Sequence, residues 1–481
     1  MNSTSDIWNI FIPCLILLIV IFIQAIFAMI KNNIKFYKIS KWISVIGIIL
    51  AFMSLFDVQF EPIYFAFSDA IISNTYTIFM QALILISALI CILLTKKTVS
   101  SRRNMAFKFH VIFMSGILAS MILVSVNDYL TMFIAMEFLS VACYFLISYN
   151  KGYLSKEASF KYILTNIISS SIFLLGVSYL YGITSSVNFT EINDYYLQNT
   201  AEWMYTISVL FITSGVLFKL GIFPFANWIL DVYEGSSTSV AAFLSVIPKI
   251  AIFGVLCRLL VFNFSYSFEF PLILLILASI TAIWSNLIAI RQRNIKRLLA
   301  ASSSANISYM ICAACLVSVY NISTVIFYLI TYIFMNLGVF SAVILLENSA
   351  FSNKLYEFKN FAYSNPIFCF AFLVCVLGLA GMPLTSGFIA KIYLLSAIAK
   401  SGLIFLPFLI LLICVMVVSM YYYIRIAKLM FAKDEKNNEK YIVCRTESSS
   451  IILYICAAAT VTLGLIPDKI IEICKIIAYN I

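Results

Sequence analysis

Charge is what this sequence has least of. Only 11% of its 481 residues are Asp, Glu, Lys or Arg, against 63% hydrophobic. A soluble domain carries about 25% charged residues, so an ordinary water-soluble fold is excluded. Histidine is almost missing, with His110 standing alone. Proline (9) and glycine (15) are also sparse, which leaves long stretches free of helix breakers. The alternating 10-residue segments of a transmembrane barrel are lacking as well. So are a glycine-rich phosphate loop, a haem motif and a dinucleotide fingerprint. No cofactor is therefore expected in this chain, and any redox centres it serves belong to other subunits. The 12 cysteines are scattered. Cys312 and Cys315 form the single CxxC, inside an apolar run with no further ligands nearby, which reads as a small helix face and not a metal site.

What is present is a succession of apolar runs of about 20 residues, the length that spans a bilayer as a helix. The expected fold is an all-α polytopic membrane protein of about 14 transmembrane helices. Their expected bounds are 7–29, 39–57, 71–95, 107–126, 128–149, 159–184, 204–230, 236–261, 271–290, 296–319, 321–346, 366–398, 403–431 and 449–472. Ile7–Met29 is long enough to be a first span and not the short apolar core of a cleavable signal.

The net charge of +10 reflects lysine-rich loops, and no nucleic-acid partner is expected. Basic residues cluster in the odd connections: Lys31, Lys35, Lys38 and Lys41, then Lys96, Lys97, Arg102 and Arg103, then Lys151 and Lys156, then Arg291, Arg293, Lys296 and Arg297. Acidic residues cluster in the even ones: Asp57, Glu61 and Asp69, then Glu191, Asp194 and Glu202. The odd connections are therefore read as cytoplasmic, with both termini outside. The seventh connection carries Asp231 and Glu234 on the basic side. A partner surface or a proton intake point are the two explanations for that acidic turn.

Lysine at bilayer depth costs a few kcal/mol or more and usually marks an ion or proton pathway. The stretch LFKLGIFPFANWILDVYEGSSTSVAAFLSVIPK, residues 217–249, puts Lys219 and Lys249 in two apolar segments on either side of a break at Pro224. A second break, GLAGMPLTSGFIAK at 378–391, holds Gly381, Pro383 and Gly387 shortly before Lys391. Each broken helix is the fourth member of a five-span unit. Because five is odd, consecutive units run in opposite orientation, and inverted repeats with interrupted helices characterise transporter folds. The expected organisation is an N-terminal three-helix segment at 1–106, a first repeat at 107–261, a second, inverted repeat at 271–431, and a C-terminal loop and last helix at 432–481.

Glu137 lies mid-span in LTMFIAMEFLSVACYFL. A lone carboxylate in hydrocarbon must protonate or pair, and a Glu–Lys pair stores charge: together both ionise, apart the lysine tends to release its proton. The competing reading is a static ion pair that holds helices together. Lys391 lies too deep to be read as snorkelling, whereas Lys161 and Arg258 lie near span ends and are expected to snorkel. His110 is either an interfacial residue or a titrating one. Ser302, Ser303, Ser304, Asn306, Ser308 and Tyr309 make the tenth span unusually polar. That serves either interhelical packing or a hydrated path joining the two halves.

At NDYLTMFIAMEFLS (127–140), 218–249, NIKRLLAASSSANISYM (294–310) and GMPLTSGFIAK (381–391) the sequence resembles the antiporter-like membrane subunits of respiratory complex I, the NADH-quinone oxidoreductase, and among them subunit N. The likeness runs through essentially the whole chain. It implies that Glu137 and Lys219 form the pair, Lys249 relays and Lys391 is the terminal protonatable group. It also implies other membrane-arm subunits as partners, and a bacterial inner (plasma) membrane location, or a mitochondrial inner membrane if organelle-encoded. Lysine at 391 favours subunit N over subunit M, and the shorter length argues against subunit L, which carries a long C-terminal lateral helix. The family typically has histidine where Ala226 and Asn306 stand, so water on the span-ten hydroxyls would carry protons there. A cation/proton antiporter subunit of the same fold is the first rival, and a non-pumping scaffold is the second.

Overall fold

A computed structural model describes residues 4–30, 36–57, 63–95, 105–198, 203–262, 269–348, 353–359, 361–432 and 448–481. Each of the fourteen expected segments contains helix. The helices are α1 (Thr4–Ile30), α2 (Phe36–Ser54), α3 (Thr75–Leu93), α4 (Ala106–Val124), α5 (Tyr129–Ser148), α6 (Tyr153–Thr184), α7 (Phe189–Gln198), α8 (Trp203–Leu220), α9 (Asn227–Gly235) and α10 (Thr238–Phe262). They continue as α11 (Glu269–Arg291), α12 (Ile295–Ala314), α13 (Val319–Asn348), α14 (Phe361–Ser364), α15 (Pro366–Ala380), α16 (Ser386–Lys400), α17 (Leu406–Phe431), α18 (Ser448–Leu465) and α19 (Asp468–Tyr479). Among the described residues, eleven helices are long and apolar enough to cross a membrane. α12 is not one of them, because Ser302–Ser304, Asn306 and Ser308 dilute its apolar character.

The chain forms two compact units. One comprises Met1–Gly221, Ile247–Leu272 and Tyr479–Ile481, and the other Ile222–Val246 and Ile273–Ala478. Long apolar helices in lipid differ by which neighbours they meet, since hydrocarbon is as apolar as leucine. The apolar windows of α10 and α13 are 94% buried, which makes them interior helices, whereas those of α1 and α17 are 22% buried. Phe22 and Ile19 on α1 and Val417 and Tyr421 on α17 point outward, as lipid-facing side chains do.

Two expected bounds are corrected. The third span was placed from residue 71, but Ile71–Ser73 is a strand, β2, pairing antiparallel with β1 (Tyr64–Ala66). The helix starts after Asn74, whose side chain accepts the Thr77 N–H at 2.9 Å, a polar cap that ends the β-branched run. The last span was placed over 449–472, but α18 stops at Leu465 and α19 is a separate amphipathic helix. Pro467, which cannot continue the helical ladder, lies between them.

The connections report topology. In the first unit, the second, fourth and sixth meet: Ile72 N–H bonds Ser125 O at 2.8 Å, Asn127 N–H bonds Ala70 O at 2.8 Å and Phe189 N–H bonds Asn127 O at 3.0 Å. Asn74 also donates to the Asn480 carbonyl at 2.8 Å. The C-terminus thus lies on the side of the even connections. In the second unit, Arg297 of the ninth connection's end bridges Asp231 at 3.0 Å and Glu234 at 2.6 Å of the seventh. Asn294 also bridges to Lys354 of the eleventh. The seventh, ninth and eleventh connections therefore share a side within this unit. Lys31, Lys35, Glu61, Lys96, Lys97, Arg102, Arg103 and Glu202 lie outside the described residues.

The acidic turn is thereby explained. Asp231 and Glu234 are a chelate for Arg297, joined by Asn294, which donates to Glu234 at 3.0 Å. Lys296 is bound in parallel by the Ser236 carbonyl at 3.0 Å and Glu347 at 3.4 Å.

Candidate functional site

Both broken helices stop in the same way. α8 ends at Leu220, followed by Gly221 at φ +71°, and α15 ends at Ala380, followed by Gly381 at φ +82°. Left-handed φ is cheap for glycine alone. At the second break the Gly381 N–H bonds the Leu377 and Gly378 carbonyls, and the Met382 N–H returns to Leu377 O at 3.0 Å. A proline follows within three residues each time, at Pro224 and Pro383, so neither helix can resume directly. Gly387 lets α16 start against α15: a side chain there would come within 1.9 Å of the Gly378 carbonyl.

Lys219 is the penultimate residue of α8 and is 8% exposed. Its ammonium has three donors and three acceptors from two other helices. Glu137 Oε1 of α5 lies at 3.2 Å, and the Ser140 hydroxyl and the Asn166 side-chain carbonyl take the other two. Glu137 is held in turn by Asn166 Nδ2, at 3.0 and 3.2 Å to its two oxygens, and by the Ser170 hydroxyl at 2.6 Å. Ser140 lies three residues after Glu137 on α5, and Ser170 lies four after Asn166 on α6, so each helix presents a pair on one face. The result is an ion pair whose inventory of donors is filled. The carboxylate keeps 29% of its side-chain surface exposed and the lysine 6%, so the carboxylate is the member with room to move.

Lys249 sits in α10 and is 3% exposed. It follows Pro248, which lies inside the helix and has no N–H to offer the Leu244 carbonyl. Lys391 is 6% exposed and has neither carboxylate nor hydroxyl on its ammonium among the described residues. It donates to the Leu379 and Ala380 carbonyls, at 3.0 and 2.8 Å, the last two of α15. Its ammonium also lies 5.9 Å from the centre of the Tyr309 ring. Those carbonyls are the unsatisfied, negative pole of a helix. Gly381 is needed a second time here, because a Cβ at 381 would fall 2.7 Å from Lys391 Cδ.

The structure thus brings Glu137 and Lys219 together and places Lys249 and Lys391 on other helices. His110 is fully buried near the start of α4, with Nδ1 at 3.1 Å from the Ser40 hydroxyl and 2.9 Å from Ala106 O. Arg258, expected to snorkel, is 0% exposed. Lys161 is surface-exposed and pairs with Glu157 at 2.9 Å.

Around α12 the second unit holds a polar network that the sequence showed only in part. Tyr309 accepts from Asn286 at 3.1 Å, and Asn286 accepts from Tyr422 at 3.1 Å. Ser302 contacts the Tyr423 hydroxyl. Asn306 accepts from Tyr328 at 2.9 Å and donates to the Ser302 carbonyl. Tyr332 donates to Ser303 at 3.0 Å and accepts from Asn336 at 3.0 Å. Asn306 is therefore bonded directly to protein groups. Sequence reasoning missed Asn286, Tyr328, Tyr332, Asn336, Tyr422 and Tyr423. Tyr328, Tyr332 and Asn336 repeat every four residues, which is one face of an apolar helix, and that was the available signal.

Comparison with known proteins identifies the family and the fold. The family described as NADH:quinone oxidoreductase/Mrp antiporter, transmembrane, matches residues 126–419. The chain is 32% identical to the chloroplast NAD(P)H-quinone oxidoreductase subunit 2 of Zygnema circumcarinatum, over 96% of this chain and 95% of that one. It is 30% identical to NADH-quinone oxidoreductase subunit N 2 of Rhizobium meliloti, over 91% of each. A chain of respiratory complex I from Thermus thermophilus superposes with a TM-score of 0.81 at 26% identity, covering 96% of this chain and 99% of that one. A chain of the Mrp complex from Dietzia superposes at 0.82 with 16% identity, covering 97% and 96%, which is likeness of fold.

Proposed function

The chain belongs to the NADH:quinone oxidoreductase/Mrp antiporter membrane family, and from that premise we propose that it is a proton-translocating, non-redox membrane-arm subunit of the subunit N type. NADH oxidation and quinone reduction take place in partner subunits. The observation that carries the reading is the closed Glu137–Lys219 contact at 3.2 Å. With the carboxylate in place, both groups are charged and satisfied. When a neighbouring subunit's charge or movement draws Glu137 away, the ammonium is left buried without its counter-ion, and a buried unpaired charge is driven to neutralise. Lys219 then gives up its proton, Lys249 relays it, and Lys391 is the last buried group to hold it. Return of Glu137 lets Lys219 take up a new proton from the cytoplasmic side, and Lys391 passes its proton to the outer side.

The chain is read as two inverted five-span repeats, 107–261 and 271–431, each with one broken helix. Support comes from the matching helix–glycine–proline breaks, each the fourth member of its repeat. No cofactor is assigned to this chain. The antiporter alternative draws on likeness of fold alone. The deciding measurement is NADH-driven acidification of membrane vesicles carrying the assembled complex. Lys219→Ala should lower it at least about tenfold, the rate equivalent of about 1.4 kcal/mol. Normal pumping by an assembled Lys219→Ala complex sinks the assignment. Loss of acidification on sodium removal, with protons still available, would move the chain to the antiporter class.

A further inference from the structure

Among the described residues, Arg258 is the largest fully buried side chain, and it has no place in the pathway just described. It lies near the C-terminal end of α10, the end that the charge pattern puts outside. Its Nη1 donates to the carbonyls of Val124, at 3.1 Å, and Val126, at 2.7 Å. Val124 is the last residue of α4, so the guanidinium sits at that helix's negative pole. Its charge centre lies 5.9 Å from the Tyr76 ring of α3, and Tyr76 is itself fixed by donating to Gly254 O at 2.9 Å. Its Nε and Nη2 have no hydrogen-bond partner among the described residues, and no described carboxylate pairs with it. A guanidinium does not lose its proton in proteins. A full positive charge is therefore fixed in the interior, balanced only by a helix pole and a ring face.

A purely structural residue at this place would be expected to be neutral, since a well-packed apolar side chain stabilises as well as a buried charge or better. Charge here has a use if Lys391 is the last group of the pathway. Protons taken up by Lys219 and Lys249 must then not escape through the outer end of their own unit. Fixed arginines exclude protons and cations from membrane pores in this way. We propose that Arg258 is an electrostatic seal at the outer end of the first unit, a positioned charge that keeps protons held near Lys219 and Lys249 from leaking outward. The inference rests on the pumping function proposed above.

The test uses the intact complex in sealed vesicles and reads two quantities: passive proton leak without NADH, and protons moved per NADH oxidised. Arg258→Met should raise the leak several-fold and lower the ratio, while NADH oxidation continues. Arg258→Lys, which keeps the charge, should stay near wild type on both. Tight vesicles and a normal ratio in assembled Arg258→Met overturn the seal. Failure of the pumping reading looks different, because it shows as normal pumping in Lys219→Ala with Arg258 intact. If Arg258→Met does not assemble, Arg258→Gln, which keeps donors for the two carbonyls without charge, decides by the same criteria. Assembly of Arg258→Lys but of neither neutral variant overturns the proposal in favour of a clamp on α4.

Discussion

The two broken helices carry the same device with a different second partner. In each, a lysine accompanies the C-terminal end of the first half-helix: Lys219 is a residue of the last turn of α8, with its ammonium on side chains of α5 and α6, and the Lys391 ammonium reaches from α16 to the last carbonyls of α15, that half-helix's negative pole. That pole is worth about half a negative charge, and half-helix C-termini serve as cation sites in transporters. Lys219 adds a carboxylate, on another helix and partly exposed. Among the described residues, Lys391 has two backbone carbonyls and, 5.9 Å away, the Tyr309 ring, but no carboxylate. Under the proposed function the first site is switched by moving one side chain, whereas the second only fills and empties, and the difference lies in what the neighbouring helices bring.

The largest effects should come from removing either ammonium. Lys391→Ala should match Lys219→Ala in lost pumping, since each removes a required stop. If Lys391→Ala pumps normally in vesicles while Lys219→Ala does not, the second site is no stop and the comparison collapses. The two should differ in stability. Deleting one partner of a buried pair costs about 3–5 kcal/mol, towards the lower end here because Glu137 is partly exposed, so Lys219→Ala should lower the complex's melting temperature. Lys391→Ala strands no carboxylate and should lower it less.

Next come the Glu137 variants, which touch only the switched site. Glu137→Gln keeps the shape and removes the charge that holds Lys219, so pumping should fall strongly. Glu137→Asp keeps the charge on a shorter arm and should retain part of the activity. Equal behaviour of the two would show that charge at 137 is irrelevant.

Gly381→Ala sharpens the other side of the comparison. Left-handed φ costs an alanine about 1–2 kcal/mol, and its methyl group would meet Lys391 Cδ at 2.7 Å. The lysine should be pushed off the two carbonyls, with pumping reduced and Lys219 function retained. Full activity in Gly381→Ala would mean that the carbonyl contacts are incidental.

The smallest effect is expected at Asn306. Its amide links Tyr328 to the Ser302 carbonyl, so Asn306→Leu should slow turnover by breaking both bonds, and Asn306→His should be tolerated. Unchanged rates in Asn306→Leu would take α12 out of the path.

Much of this was legible in the chain. Depth and charge scarcity singled out Glu137, Lys219, Lys249 and Lys391, because a buried charge in so apolar a sequence stands out by itself. The Gly–Pro punctuation located both breaks. Arg258 was misread because distance from a span end measures depth along the membrane normal and not the side chain's direction, and this one turns inward to α4. The acidic turn was left with two explanations because its partner, Arg297, is some sixty residues away. Asn286, Tyr422 and Tyr423 were missed because each is an ordinary residue of an apolar helix until another helix brings it an acceptor.

The sequence by itself determined what is local and additive. Hydropathy summed over twenty residues made the helices, glycine and proline set where two of them stop, and the basic loops assigned the sides. Those terms depend on a residue and its near neighbours, so they need no fold. Only the tertiary structure decided which partner each buried charge meets: a carboxylate for Lys219, backbone carbonyls for Lys391, a helix pole and a ring for Arg258. In hydrocarbon the energy of a charge is set by the few atoms within hydrogen-bonding reach, and those atoms come from helices far apart in the chain.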